Sequence, residues 1–112
     1  MSVTIDAMRI VLAAADAEAT EWLAGVLGSA GFSVVVLPEA DPAAPELRNA
    51  DLLIVDSSAA TSIADAGPKR RILLSRRGGT VELENIERYA DVIAVPSLAE
   101  EVVARVRHVI EG

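Results

Sequence analysis

The sequence predicts one α/β domain built on a five-stranded, parallel, doubly wound sheet. Three observations carry this. Five short apolar runs recur along the 112 residues, and each is followed by a helical or turn-rich stretch. The runs are continuous rather than alternating, as strands buried on both faces require. Hydrophobic residues make up 52% of the chain but aromatics only 3%, so the core must be Val, Leu, Ile and Ala. Alternation of β and α with right-handed crossovers places helices on both faces of the sheet. The length suits a single domain: residues 8–112, after an N-terminal extension or linker over residues 1–7.

Arg9 to Ala14 is the first strand, an apolar run ending in small residues. Asp16 is placed to cap the next helix, with Glu18 and Glu21 favourably near its N-terminus. Over 17–30, Ala19, Trp22, Leu23, Val26, Leu27 and Ala30 recur at helical spacing, and Gly31 stops the helix. Phe32 to Leu37, with three consecutive valines, is the second strand. Residues 41–50 read as a short helix interrupted by proline. Asp51-Leu-Leu-Ile-Val-Asp56 is the clearest strand of the chain. Residues 57–68 are Ser- and Ala-rich and hold at most a short helix. Arg71 to Ser75 is the fourth strand, 80–89 a weakly signalled helix, and Asp91 to Val95 the fifth strand. Ser97 with Glu100 makes a capping box for the last helix. Its apolar stripe is Leu98, Val102, Val103, Val106 and Ile110, leaving Glu101, Arg105, Arg107 and His108 outside.

Several function classes are disfavoured. With no Cys there is no disulfide, thiolate chemistry or Cys-based zinc site, which fits a reducing compartment. The longest uncharged run, Leu23 to Pro38, is broken by Gly25, Gly28 and Gly31 and changes period halfway, so no membrane span is expected. Met1 to Ala7 lacks the basic and apolar regions of a signal peptide, and a cytoplasmic location is expected. A net charge of −7 disfavours nucleic acid as a partner. The chain has no Gly-rich phosphate loop after the first strand, no nucleophile elbow and no His–carboxylate pairing, so it is not expected to be an enzyme.

In an open parallel sheet a site gathers at the C-terminal ends of the strands, at the switch point of strand order. Those ends carry Ala14 to Asp16, Asp56, Ser75 and Val95-Pro96. The pattern of elements does not by itself fix the strand order.

Over residues 8–111 the chain resembles the receiver domains of bacterial response regulators. Asp51-Leu-Leu-Ile-Val-Asp56 looks like the family's third strand, which ends in the phosphoacceptor aspartate. Ser75 stands where the family keeps a conformational-switch Ser or Thr, and Pro96 where it keeps the proline of a Lys-Pro pair. The resemblance implies a flavodoxin-like sheet in the order 2-1-3-4-5 and a role in two-component phosphorelay signalling. The segment between Asp56 and Ser75 is shorter than in a typical receiver, which implies a shortened third helix.

The departures are as informative. Alignment of the first strand places Ala14 and Ala15 where the family has two acids that, with the acceptor aspartate, hold Mg²⁺. Val95 falls at the family's lysine. Mg²⁺ requires hard oxygen ligands, and phosphoryl transfer depends on positioning and charge neutralisation. The expectation is a degenerate, or pseudo-, receiver that needs no cofactor and signals by protein contact without obligatory phosphorylation. Its partner would be a histidine kinase or an output domain. The contact surface would be the family's fourth helix, fifth strand and fifth helix, here Glu84, Arg88, Tyr89, Glu101, Arg105 and His108. No kinase or output domain accompanies these residues, so a stand-alone regulator and an excised piece both remain open.

Two alternatives stand beside it. Asp56 could serve as a phosphoacceptor, with Mg²⁺ held by Asp16 and backbone carbonyls. An anionic small ligand such as a cyclic dinucleotide could be bound by Arg76 and Arg77, with Tyr89 as the stacking aromatic and Pro96 beside it. Lys69, Arg70, Arg71, Arg76 and Arg77 concentrate half of the ten basic residues, and arginine is suited to phosphate. The plainer readings are that Asp16 is a helix cap, Asp56 a solvated strand end, Ser75 a residue of the fold, His108 a solvated side chain, and the arginines partners for Glu82, Glu84 or Glu87.

Overall fold

The computed structural model of the chain describes residues 8–14, 17–37, 41–56, 63, 66–76, 89–95 and 98–111. Five strands, β1 (Arg9–Ala13), β2 (Ser33–Val36), β3 (Leu52–Asp56), β4 (Arg71–Arg76) and β5 (Asp91–Val95), form one parallel sheet. The order is β2-β1-β3-β4-β5, as the resemblance implied. Helix α1 (Ala17–Ser29) follows β1, and the last helix, α2 (Ala99–Glu111), follows β5.

The apolar runs form strands because both faces are covered. Ile10, Leu12, Leu52, Ile54, Ile72, Leu74 and Ile93 point to the face where Leu23 and Leu27 of α1 and Val102, Val106 and Val109 of α2 pack. The alternate residues Val11, Ala13, Leu53 and Val55 meet Leu37, Leu47 and Ile63 on the other face. The period of two along each strand thus divides one continuous run between two cores.

Four expectations are adjusted. Residues 41–50 hold only a five-residue 3-10 turn, Pro45–Asn49, with Pro45 opening it. Pro at the first position suits a helix start, but Asp51 already pairs with Arg9, and little chain remains in which to extend. In α1, buried Thr20, Leu23 and Leu27 form the centre of the inward face, while Trp22 is 37% exposed. In α2, Ile110 packs half-buried against the core as expected, Val109 joins it as a buried residue, and Leu98 lies outside the helix, 66% exposed. The carbonyl of Leu98 accepts from the N–H groups of Glu101 and Val102, so Leu98 holds the N-cap position and Glu100 is the second helical residue. Ser97, Asp16, residues 1–7, and nearly all of the helical readings over 57–68 and 80–89 lie outside the described residues.

Candidate functional site at the carboxyl edge of the sheet

The register shows which residues share the C-terminal edge. Ala13 pairs with Val55, so Ala14 follows β1 at the level of Asp56, the last residue of β3. Asp56 pairs with Leu74, and Ser75 is the next residue of β4. Ser75 pairs with Ala94, and Arg76 with Val95, the last residue of β5. The sheet therefore brings Asp56 and Ser75 together on adjacent strand ends, as the sequence placed them. Both are half-buried.

The neighbours on either side are methyl groups. Ala14 is half-buried and packs against the core shared by α1 and α2, and Ala94 is exposed. Neither side chain offers an oxygen or a charge. A divalent cation such as Mg²⁺ needs near-octahedral oxygen ligation with at least one or two carboxylates. Among the described residues no group of three acidic or imidazole side chains is placed to hold a metal. Among the described residues at this edge, Asp56 is the one carboxylate, which falls short of the ligand set of Mg²⁺. Asp16, Ala15, Arg77 and Pro96 lie outside the described residues. Tyr89 is half-buried and packs on the core of Val11, Leu53 and Val55, so part of its ring contributes to folding.

Two of the five residues of the basic cluster, Arg70 and Arg71, have a structural explanation. Arg71, the first residue of β4, is only 9% exposed. Its Nε donates to the carbonyl of Pro68 at 3.1 Å and its Nη2 to that of Ala66. It thereby pins the turn in which Gly67 adopts a φ of 88°. Arg70 donates from Nη1 to the carbonyl of Ile110 at 3.1 Å, satisfying one of the free acceptors at the C-terminus of α2. Both lie at the opposite edge from Asp56. A recess of about 480 Å³ lined by Pro42, Leu47, Arg48, Gly67 and Pro68 lies at that edge too. Sequence periodicity does not reveal that Arg71 is buried. The available signal was a charged residue three positions after Gly67-Pro68 and at the head of an apolar run.

Replacement of Arg71 by Met should destabilise the domain by about 2–3 kcal/mol, because two carbonyls lose their donor in a water-poor place. Arg71→Lys should recover only part of this, since an ammonium cannot reproduce the guanidinium fork. Urea unfolding of the three proteins provides the comparison. Equal midpoints would show that the clamp contributes nothing.

On the last helix Glu101 and His108 are exposed, as expected. Arg105 is less available than its place on the polar face implied. Its Nη1 contacts the Asp91 carboxylate at 2.9 Å and the Val92 carbonyl at 3.3 Å, and its Nε lies 3.5 Å from Glu101. It ties α2 to the start of β5. Glu84 and Arg88 lie outside the described residues, and among those that are described no helix is long and apolar enough to cross a membrane.

Solved structures similar to this chain are response-regulator receiver domains and proteins that contain them. NtrX from Brucella abortus, solved with ADP, superposes on 94% of this chain with a TM-score of 0.78 and 22% identity. The chain spans only 26% of NtrX. The N-terminal receiver domain of Klebsiella pneumoniae RstA, solved in a BeF3-activated form, matches 93% of this chain and 99% of its own length, with a TM-score of 0.70 and 22% identity. FixJ-N matches 93% of this chain and 94% of its own length, with a TM-score of 0.75 and 18% identity. No family model and no curated protein matches the sequence. The fold is that of the receiver domains.

Proposed function

We propose that this chain is a regulatory, receiver-like domain of two-component signalling that acts by protein contact and does not require phosphorylation. The observation that supports it best is Ala14. It stands level with Asp56 at the end of β1, where a metal-dependent phosphoacceptor needs a carboxylate. Val95 at the end of β5 is the second uncharged position where the family carries charge. An acceptor Asp without these groups lacks the neutralisation on which phosphoryl transfer depends.

The partner on this reading is a histidine kinase or an output domain, engaged through exposed polar positions such as Glu101 and His108 on α2. The domain is regulatory rather than catalytic and works without a bound cofactor in the cytoplasm.

Beryllofluoride, a mimic of the aspartyl phosphate, provides the test. Amide NMR spectra with Mg²⁺ and beryllofluoride at millimolar concentration should show no shifts centred on Asp56 and Ser75. Saturable shifts at those two residues, lost in Asp56→Asn, would establish a working phosphoacceptor and sink the reading.

A further inference from the structure

We propose that the free edge of β2 is a self-association surface, where a second copy of this chain adds its own β2 in antiparallel orientation about a twofold axis. Among the described strands β2 has a neighbour on one side only. The N–H groups of Ser33 and Leu37 donate to the carbonyls of Met8 and Leu12. By alternation along a strand, Val34 and Val36 turn their N–H and C=O groups away from β1.

Edge strands are normally guarded by a charge, a proline or a bulge within the strand. Ser33-Val34-Val35-Val36 has no such guard, and Val36 is 43% exposed.

Charge selects the occupant. The chain carries a net −7, so most contacts between two copies are repulsive. The run Leu23–Pro38 contains no charged residue, and it includes both β2 and the second half of α1. A twofold contact sets this stretch against itself, so neither copy brings a charge to the seam. The opposite edge of the sheet begins with Asp91 and its Arg105 partner, and is charged.

Helix α1 packs beside β2, and its exposed positions here are small. A Cβ added to Gly25 or Gly28 would meet nothing within 4 Å. Neither glycine is therefore required by packing within the chain, yet each weakens a helix relative to Ala. Both glycines lie in the uncharged half of α1, the half that continues the run into β2.

With the axis through Val35, Val34 of each copy faces Val36 of the other, and about four backbone hydrogen bonds form. A stable dimer buries roughly 800 Å² per partner, more than four strand residues supply. The association is therefore expected in the micromolar range, with α1 contributing the rest of the contact.

The test uses the whole chain. Sedimentation velocity over a concentration series should show a monomer–dimer equilibrium. Val36→Lys, at an exposed position, should weaken it at least about tenfold while the circular dichroism spectrum stays unchanged. The chain has no Cys, so Val35→Cys places two thiols across the axis and should oxidise to a covalent dimer. Ala104→Cys, exposed on α2, should not. A wild-type chain that stays monomeric at the highest concentration overturns the proposal and leaves the edge to an extended strand of another protein. Dimers unaffected by Val36→Lys, or equal crosslinking of both cysteine variants, overturn it as well.

Discussion

Ala14→Asp, Ala15→Asp and Val95→Lys, combined in one chain, are expected to let Asp56 take phosphate from a small donor such as acetyl phosphate when Mg²⁺ is present. The reasoning runs from charge. The phosphoryl group carries its negative charge on peripheral oxygens throughout transfer, and the protein lowers the barrier by holding opposite charge in place. Asp56 already occupies the end of β3, with Ser75 beyond Leu74 on the neighbouring strand. Among the described residues, Ala14 brings no oxygen ligand level with Asp56, and the residue that ends β5 is the uncharged Val95.

Position 14 is level with Asp56 in the register, and position 95 ends β5 opposite Arg76. Both substitutions therefore act at the edge rather than inside the sheet. Phosphorylation of the triple variant, read by intact-protein mass spectrometry, should proceed at least about a hundredfold faster than in the wild type. Adding Asp56→Asn should abolish it, and omission of Mg²⁺ should return it to the wild-type level. Wild-type phosphorylation at the same rate would show that the missing groups are not needed and would remove the ground for a phosphorylation-independent role. Because Ala14 packs partly against the core, urea unfolding must accompany the kinetics, so that loss of folding is not read as loss of chemistry.

How much of this was legible in the sequence depended on which interaction decided each feature. The strand Leu52–Asp56 was plain because both faces are buried, and burial on both faces writes an unbroken apolar run. The ends of α1 and the start of α2 were legible to within a residue or so. The rotation of each helix on the sheet was not. The spacing Ala19, Trp22, Leu23, Val26, Leu27, Ala30 defines a wide stripe, but packing centres it on Thr20, Leu23 and Leu27, leaving Trp22 at the margin. In α2 the same effect adds Val109 to the inward face beside the half-buried Ile110. Which strand ends adjoin one another depends on strand order, and that came from the resemblance. Arg71 was opaque because its partners are backbone carbonyls, which no side-chain pattern records. The place of Asp56 and Ser75 at adjacent strand ends was legible, because strand ends follow from strands once the order is known.

The largest loss of stability from a single apolar truncation should come at β3, and Ile54→Ala is the sharpest case. Ile54 is fully buried, pairs with Leu12 on one side and Ile72 on the other, and belongs to the core that α1 and α2 cover. Truncation removes three carbons from a place whose neighbours are held by the sheet on one side and two helices on the other, so the cavity can collapse little. Such substitutions cost about 3–4 kcal/mol. A domain of this size is stable by only about 5–15 kcal/mol, so a large share of its stability would be lost. Ile54→Val should cost about 1 kcal/mol, and Leu98→Ala, exposed ahead of α2, less than about 0.5 kcal/mol. The ranking can be read from urea midpoints with unchanged slopes. Equal costs at Ile54 and Leu98 would contradict a core centred on β3. The sheet would then not be the rigid frame that holds Asp56 level with Ala14 and beside the strand that carries Ser75.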